Sequence, residues 1–194
     1  MRFEILGSWL DKGVVNHRRR VMMIALPAVC VGPLMAGVVH ALGHAVAVWL
    51  CGGRLEAVQP LWLLGAPHVH FAGDLGAAAM AVVQVSGVGA VLVLSWGVLA
   101  LVPFGRLSHA GALSLAVVVA SLFTQVAAWV VMPLLRWMGF GLRDDALGFM
   151  EATGVHPLWV AGVSGLLLAG TGFWFLARTR LVERWEALRR ELEE

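Results

Sequence analysis

Charge is scarce in this sequence. Only 13% of its 194 residues are Asp, Glu, Lys or Arg, against 60% hydrophobic, and the mean hydropathy is +0.84. That balance excludes an ordinary soluble globular domain. Tyrosine is absent and cysteine occurs twice. Cys30 and Cys51 would stand roughly 31 Å apart along one helix, so they form no disulfide and say nothing about redox compartment. No stretch interleaves basic with aromatic residues, which excludes nucleic acid as a partner. No charged residue falls mid-span to build a relay, so a transporter has no support.

What is present is apolar sequence in lengths that match a bilayer. Runs at 21–51, 77–103, 109–138 and 157–177 each reach the roughly 20 residues needed to cross. The expected fold is therefore an all-α polytopic membrane protein of one domain, 1–194, with about four transmembrane helices. The first run is too long for a signal peptide's core and no A-x-A-like site closes it, so it is expected to stay as an anchor. Nine tryptophans occur, and Trp49, Trp62, Trp137, Trp159 and Trp174 lie near run ends, where an aromatic belt belongs.

Arg18, Arg19 and Arg20 precede the first run, and Arg178, Arg180, Arg184, Arg189 and Arg190 follow the last. By the positive-inside rule both termini are cytoplasmic. The expected location is the inner or plasma membrane of a bacterium or archaeon.

Between the first two runs, "CGGRLEAVQPLWLLGAPHVHFAGD" breaks helix with a Gly pair, then with Pro60, Gly65 and Pro67. It is expected to form a hairpin over 54–72, with strands near 54–59 and 68–72. The tail, 178–194, places Leu181, Trp185, Leu188 and Leu192 on one stripe of a charged helix. Such a helix lies on the membrane surface, against a partner, or solvated behind the last span.

The chemistry concentrates in "VVHALGHAVAVWLCGGR", residues 38–54. At 100° and 1.5 Å per residue, His40 and His44 project from one helical face about 6 Å apart along the axis, a spacing that suits two ligands of one tetrahedral zinc. The alternative is a pair of histidines hydrogen-bonded to neighbouring helices. Two imidazoles in lipid are expensive, which favours the metal. A haem would need axial histidines on different helices, and no second mid-membrane histidine is present.

In its order of features, "HALGHAVAVWLCGGRLEAVQPL" resembles the start of the site-2 protease family of intramembrane zinc metallopeptidases. The His pair, Gly43, the small and apolar residues after His44 and then "GGRLEAVQ" match that family's H-E-x-x-H helix, Gly-Gly-Arg turn and small β-hairpin. The resemblance implies bound zinc and cleavage of membrane-anchored protein substrates. It also implies that the hairpin strand, Arg54, Leu55, Glu56, Ala57 and Val58, holds an unwound substrate segment by main-chain hydrogen bonds.

A third ligand in that family is an aspartate from a later helix, usually in Leu-Asp-Gly after an Asn-x-x-Pro element. Here "MPLLRWMGFGLRDDALGFMEATGVHP" supplies Pro133, Asp144 and Asp145, followed by Ala146 rather than Gly. The resemblance makes one acid a ligand, with Asp144 preferred. Asp144 could instead cap a short helix, 145–152. "VSGVGA", 85–90, stands where the family often ends a segment in asparagine; it supports close helix packing only. His68 and His70 share one side of a strand and either approach the metal or stand as exposed loop residues. His109 and His156 sit at span ends and receive no role.

Ala41 is the departure that matters most. In H-E-x-x-H enzymes the glutamate beside the first ligand takes a proton from water on the zinc and passes it to the leaving amine. Alanine does neither. Loss of a positioned base costs on the order of 10²- to 10⁴-fold, so the chain is expected to be nearly inactive as it stands, while zinc binding survives. Either Ala41 replaces a native glutamate or the chain is a natural pseudoprotease. The competing class is a non-catalytic scaffold or accessory subunit that binds a partner transmembrane helix within a membrane complex or homo-oligomer.

The family usually holds its metal nearer the cytosolic face, whereas an N-inside chain places His40 about 16 Å from the far end of its helix. A break at Pro27 or Pro33 would let the first turns lie along the interface and reverse the remainder.

Overall fold

The computed structural model of the chain describes residues 3–59, 68–140 and 144–193, with side chains for 26, 28–58, 69–140 and 144–190. Six helices and one two-stranded sheet account for the described residues, together with a single 3-10 turn. They are α1 (Phe3–Leu50), β1 (Arg54–Gln59), β2 (His68–Ala72), α2 (Ala77–Leu101), α3 (His109–Trp137), α4 (Asp145–Thr153), α5 (Pro157–Thr179) and α6 (Leu181–Glu193). Four stretches are long and apolar enough to cross a membrane: Ala28–Leu50, Ala77–Leu101, His109–Trp137, and Pro157–Arg190, which joins α5 to α6. The chain is thus the all-α polytopic membrane protein that its composition implies.

α1 does not break at Pro27 or Pro33; helix runs from Phe3 to Leu50. A transmembrane helix tolerates proline because neighbouring helices and local adjustment satisfy the carbonyl left free. The two strands stand where the Gly pair and the alternation place them. They pair antiparallel, with a register shift between Leu55 and Ala57 that leaves Glu56 as a bulge. Pro60, Trp62, Gly65 and Pro67 lie outside the described residues, as do the side chains of Arg18, Arg19, Arg20, His68 and Leu192.

The connections alternate between two faces of the bundle. At one face lie the end of α1, the hairpin, the start of α2, the end of α3, α4 and the start of α5. At the other lie the end of α2, the 3-10 turn Phe104–Arg106, the start of α3 and α6. α1 packs against both α2 and α3, and α3 carries α5 on another side. On α1 this splits the helix into stripes. His40, Ala41, His44, Ala45 and Val48 are buried, whereas Leu42, Val46 and Trp49 are exposed, as suits a helix with one side in lipid.

Small residues set the spacing of α1 and α2. A Cβ at Gly43 would collide with the Ser86 carbonyl oxygen and stand 2.8 Å from Ala90 Cβ. Glycine is what allows the two backbones to touch there, and "VSGVGA" is indeed a packing surface.

α6 folds back onto the bundle. Arg184 donates to the carbonyl oxygens of Thr179 (Nε, 2.9 Å) and Phe104 (Nη2, 2.5 Å) and, less closely, to that of Leu107 (Nη1, 3.4 Å). The expected stripe is divided: Leu188 is buried and Leu181 packs with the Phe104–Val119–Phe175 cluster, while Trp185 is exposed. The inward face is therefore Leu181–Arg184–Leu188, with an arginine at its centre. Position 184 satisfies loop carbonyls, something no hydrophobic periodicity reports.

Candidate metal centre

His40 and His44 stand one turn apart on α1, and α4 brings a carboxylate to them. His40 Nε2 lies 2.7 Å from Asp145 Oδ2 and 2.9 Å from His44 Nε2, and His44 Nε2 lies 3.1 Å from the same Oδ2. Both histidines are buried. The three atoms make a compact triangle, the single cluster of metal-ligating side chains among the described residues.

The structure brings in Asp145 rather than Asp144, the acid preferred from the sequence. Asp144 is the N-cap of α4: its backbone is extended (φ −163°, ψ 162°), and its carboxylate accepts from Ala146 N at 2.9 Å. Capping satisfies one of the orphan donors of the first turn and turns Asp144 toward its own helix. Asp145, the next residue, is then aimed at α1. Burial pulls the Asp145 carboxyl upward, but the hydrogen bonds from His40 and His44 and their charges outweigh it, so it is held well below the usual carboxylate range. Burial, with repulsion from Asp145, pushes Asp144 the other way.

α2 orients the second imidazole. His44 Nδ1 donates to the Val83 carbonyl oxygen at 2.6 Å, and Ser86 Oγ donates to the same oxygen at 2.6 Å. A bond of this type fixes the tautomer of a ligating histidine and points its other nitrogen at the metal. His40 has no equivalent, because its Nδ1 is buried with no partner.

These donors fit a zinc ion. Protons on the two Nε2 atoms make the hydrogen bonds to Asp145 Oδ2; with Nδ1 committed as donor, a neutral His44 would present its Nε2 lone pair to a cation in their place. A cation at the centre satisfies all three donor atoms. Ligands about 2.0 Å from a tetrahedral zinc stand about 3.3 Å from one another, so the triangle needs to open by only a few tenths of an ångström.

Gly87, on α2, completes the site and is invisible to sequence reasoning. A Cβ there would stand 2.5 Å from His44 Nε2 and 2.8 Å from His40 Nε2. The absence of a side chain keeps the space beside the donors open. Its only sequence signal is membership in a small-residue run.

No family model, characterised protein or solved structure matches this chain.

The remaining residues singled out from the sequence lie apart from the cluster. Arg54, Leu55, Glu56, Ala57 and Val58 form β1 and are all exposed. His70 is exposed on β2, and His156 caps α5 by accepting from Leu158 N at 3.3 Å. His109 opens α3 at the opposite face. Ala41 has no accessible surface.

Proposed function

We propose that this chain is a zinc-binding membrane protein on the plan of the site-2 proteases, in which Ala41 stands in the place of the general base. The observation that carries the proposal is the convergence of His40 Nε2, His44 Nε2 and Asp145 Oδ2 beside the bare backbone of Gly87. Zinc in this triangle would supply Lewis acidity toward a peptide carbonyl and toward water. His40, His44 and Asp145 would hold it, while Val83 and α2 keep His44 in register. The edge of β1 away from β2, unpaired among the described residues, suits an extended segment of a membrane-anchored substrate. Ala41 moves no proton, so turnover is expected to be lower by on the order of 10²- to 10⁴-fold than with a carboxylate there.

Charge supports an orientation. Arg106, Arg178, Arg180, Arg184, Arg189 and Arg190 gather at the α6 face, which the positive-inside rule assigns to the cytoplasm. His44 is six residues from the end of α1, about 9 Å, so the centre lies toward the opposite, hairpin face.

One observation favours a second reading. Ala41 is wholly buried, so a larger side chain must displace a neighbour or enter the site. A chain whose packing is matched to alanine suits a non-catalytic scaffold or accessory subunit, alone or as a homo-oligomer, with zinc as a structural element.

Ala41→Glu separates the two. Under the protease reading the variant retains zinc and cleaves membrane-anchored proteins that the present chain leaves intact. Equal zinc in both forms, with no difference across a proteome-wide comparison of membranes, would sink the protease reading and leave the scaffold. Absence of zinc from chain purified without chelator would sink the metal centre itself.

A further inference from the structure

The three donors of the metal centre are not equally accessible. The side chains of His40 and His44 are 8% and 7% exposed, whereas that of Asp145 is 32% exposed. The centre is therefore open on the side of the carboxylate. Asp145 is the first residue of α4, which lies at the hairpin face of the bundle.

Toward the α6 face the bundle is closed beneath the donors. Ala36 of α1, Val91 of α2 and Leu122 of α3 pack together, each with 1% exposure or less. Ala36 stands one turn before His40, and Val91 one turn beyond Gly87. At 1.5 Å per residue from the hairpin ends of their helices, these three lie about 21 Å deep, while His40 and Gly87 lie about 15 Å deep. They form one layer across the bundle. A turn further down, a Cβ at Gly32 would collide with Ser121 Oγ, so α1 and α3 are closed together there as well. Packed alkyl groups offer a hydrated ion nothing in exchange for its water, so the layer bars the ion's passage.

We propose that the centre opens to the hairpin face alone and that this face is non-cytoplasmic, so that metal, water and peptide reach the donors from outside the cytoplasm. This rests on the metal centre argued above and names its access. Among the described side chains the hairpin face carries the arginines Arg54 and Arg136, whereas the α6 face carries six. The positive-inside rule sets the richer face in the cytoplasm. The resemblance to site-2 proteases implies the opposite, a metal nearer the cytosolic face. Peptide segments within reach of the ion are then those in the non-cytoplasmic half of the bilayer.

The test uses the full chain in sealed membrane vesicles of either orientation, with diethylenetriaminepentaacetate as a chelator that does not cross the bilayer. Chain recovered from right-side-out vesicles is expected to have lost its zinc, while inside-out vesicles keep theirs until detergent opens them. Loss from inside-out vesicles, from both kinds or from neither would each overturn the proposal. A second arm needs no metal. Asp145→Cys, in a chain carrying Cys30→Ser and Cys51→Ser, should react with an impermeant maleimide in right-side-out vesicles only. Glu186→Cys, at an exposed position of α6, should react in inside-out vesicles only. The reverse pattern, or labelling of position 145 from both sides or from neither, would overturn the one-sided opening. Chain that never held zinc but shows the expected labelling would sink the metal centre and leave the opening in place. The chelator arm is read on the unmodified chain and stands even if a cysteine variant fails to fold.

Discussion

The Val83 carbonyl oxygen on α2 accepts from His44 Nδ1 on α1 at 2.6 Å, and this bond decides which nitrogen of His44 faces Asp145. One helix thus sets the protonation pattern of a side chain on another. Metal affinity should depend on the α1–α2 contact as much as on the ligands.

The adjacent acids should separate cleanly. Asp145→Ala is expected to weaken zinc binding by more than about tenfold, since it removes a donor. Asp144→Ala should leave zinc nearly unchanged while lowering stability by about 1 kcal/mol through loss of the α4 cap. Isothermal titration with zinc and thermal unfolding of both variants measure this; the reverse ranking would show that Asp144 is the ligand.

Gly87→Ala should abolish zinc binding although it alters no donor, because the new methyl would stand 2.5 Å from His44 Nε2. Gly89→Ala, where a Cβ meets nothing within 4 Å, should bind zinc as the parent does. Metal content of the two purified variants is the measurement, and equal zinc in both would refute the placement of the centre beside Gly87.

Acidification should release the metal. Imidazole ligates only when neutral, so protons compete with the ion and occupancy is expected to fall as the pH is lowered. Asp145 is held well below the usual carboxylate range by its histidine partners, so its protonation does not set the midpoint. Dialysis at stepped pH with elemental analysis follows the loss. Retention of zinc down to about pH 3 would mean that histidine does not hold it.

Arg184→Met should free α6 without touching the metal centre. It removes the guanidinium from the Thr179, Phe104 and Leu107 carbonyl oxygens, of which Phe104 keeps the Leu107 N–H, at a cost of about 1 to 3 kcal/mol. Limited proteolysis should then cut within 181–190 several times faster, while zinc content holds. An unchanged digestion rate would show that Leu181 and Leu188 suffice to dock the helix.

The spans and hairpin were legible because their signals are local. Apolar length marks a bilayer crossing, and the Gly pair ends α1 where Gly52 adopts φ 81°. The His pair was legible for the same reason, one helical turn. What was hidden depends on contacts between elements. Asp144 and Asp145 are chemically identical, and only the entry angle of α4 decides which caps and which turns to α1. Gly87 matters because of what faces it, and half-buried Arg184 turns inward because its guanidinium reaches the carbonyl oxygens of Thr179, Phe104 and Leu107.

The three donors also differ in how they are tethered. His40 and His44 ride on one long helix locked to α2 at Gly43 and Ser86, whereas Asp145 begins a helix of nine residues seated on Leu147 and Met150. An ion held here would exchange by a lifting of α4, with both imidazoles keeping their grip until the carboxylate has left. Residence time is then governed by the apolar seating of α4, and trimming Met150 would hasten exchange while the coordinating atoms stay as they are.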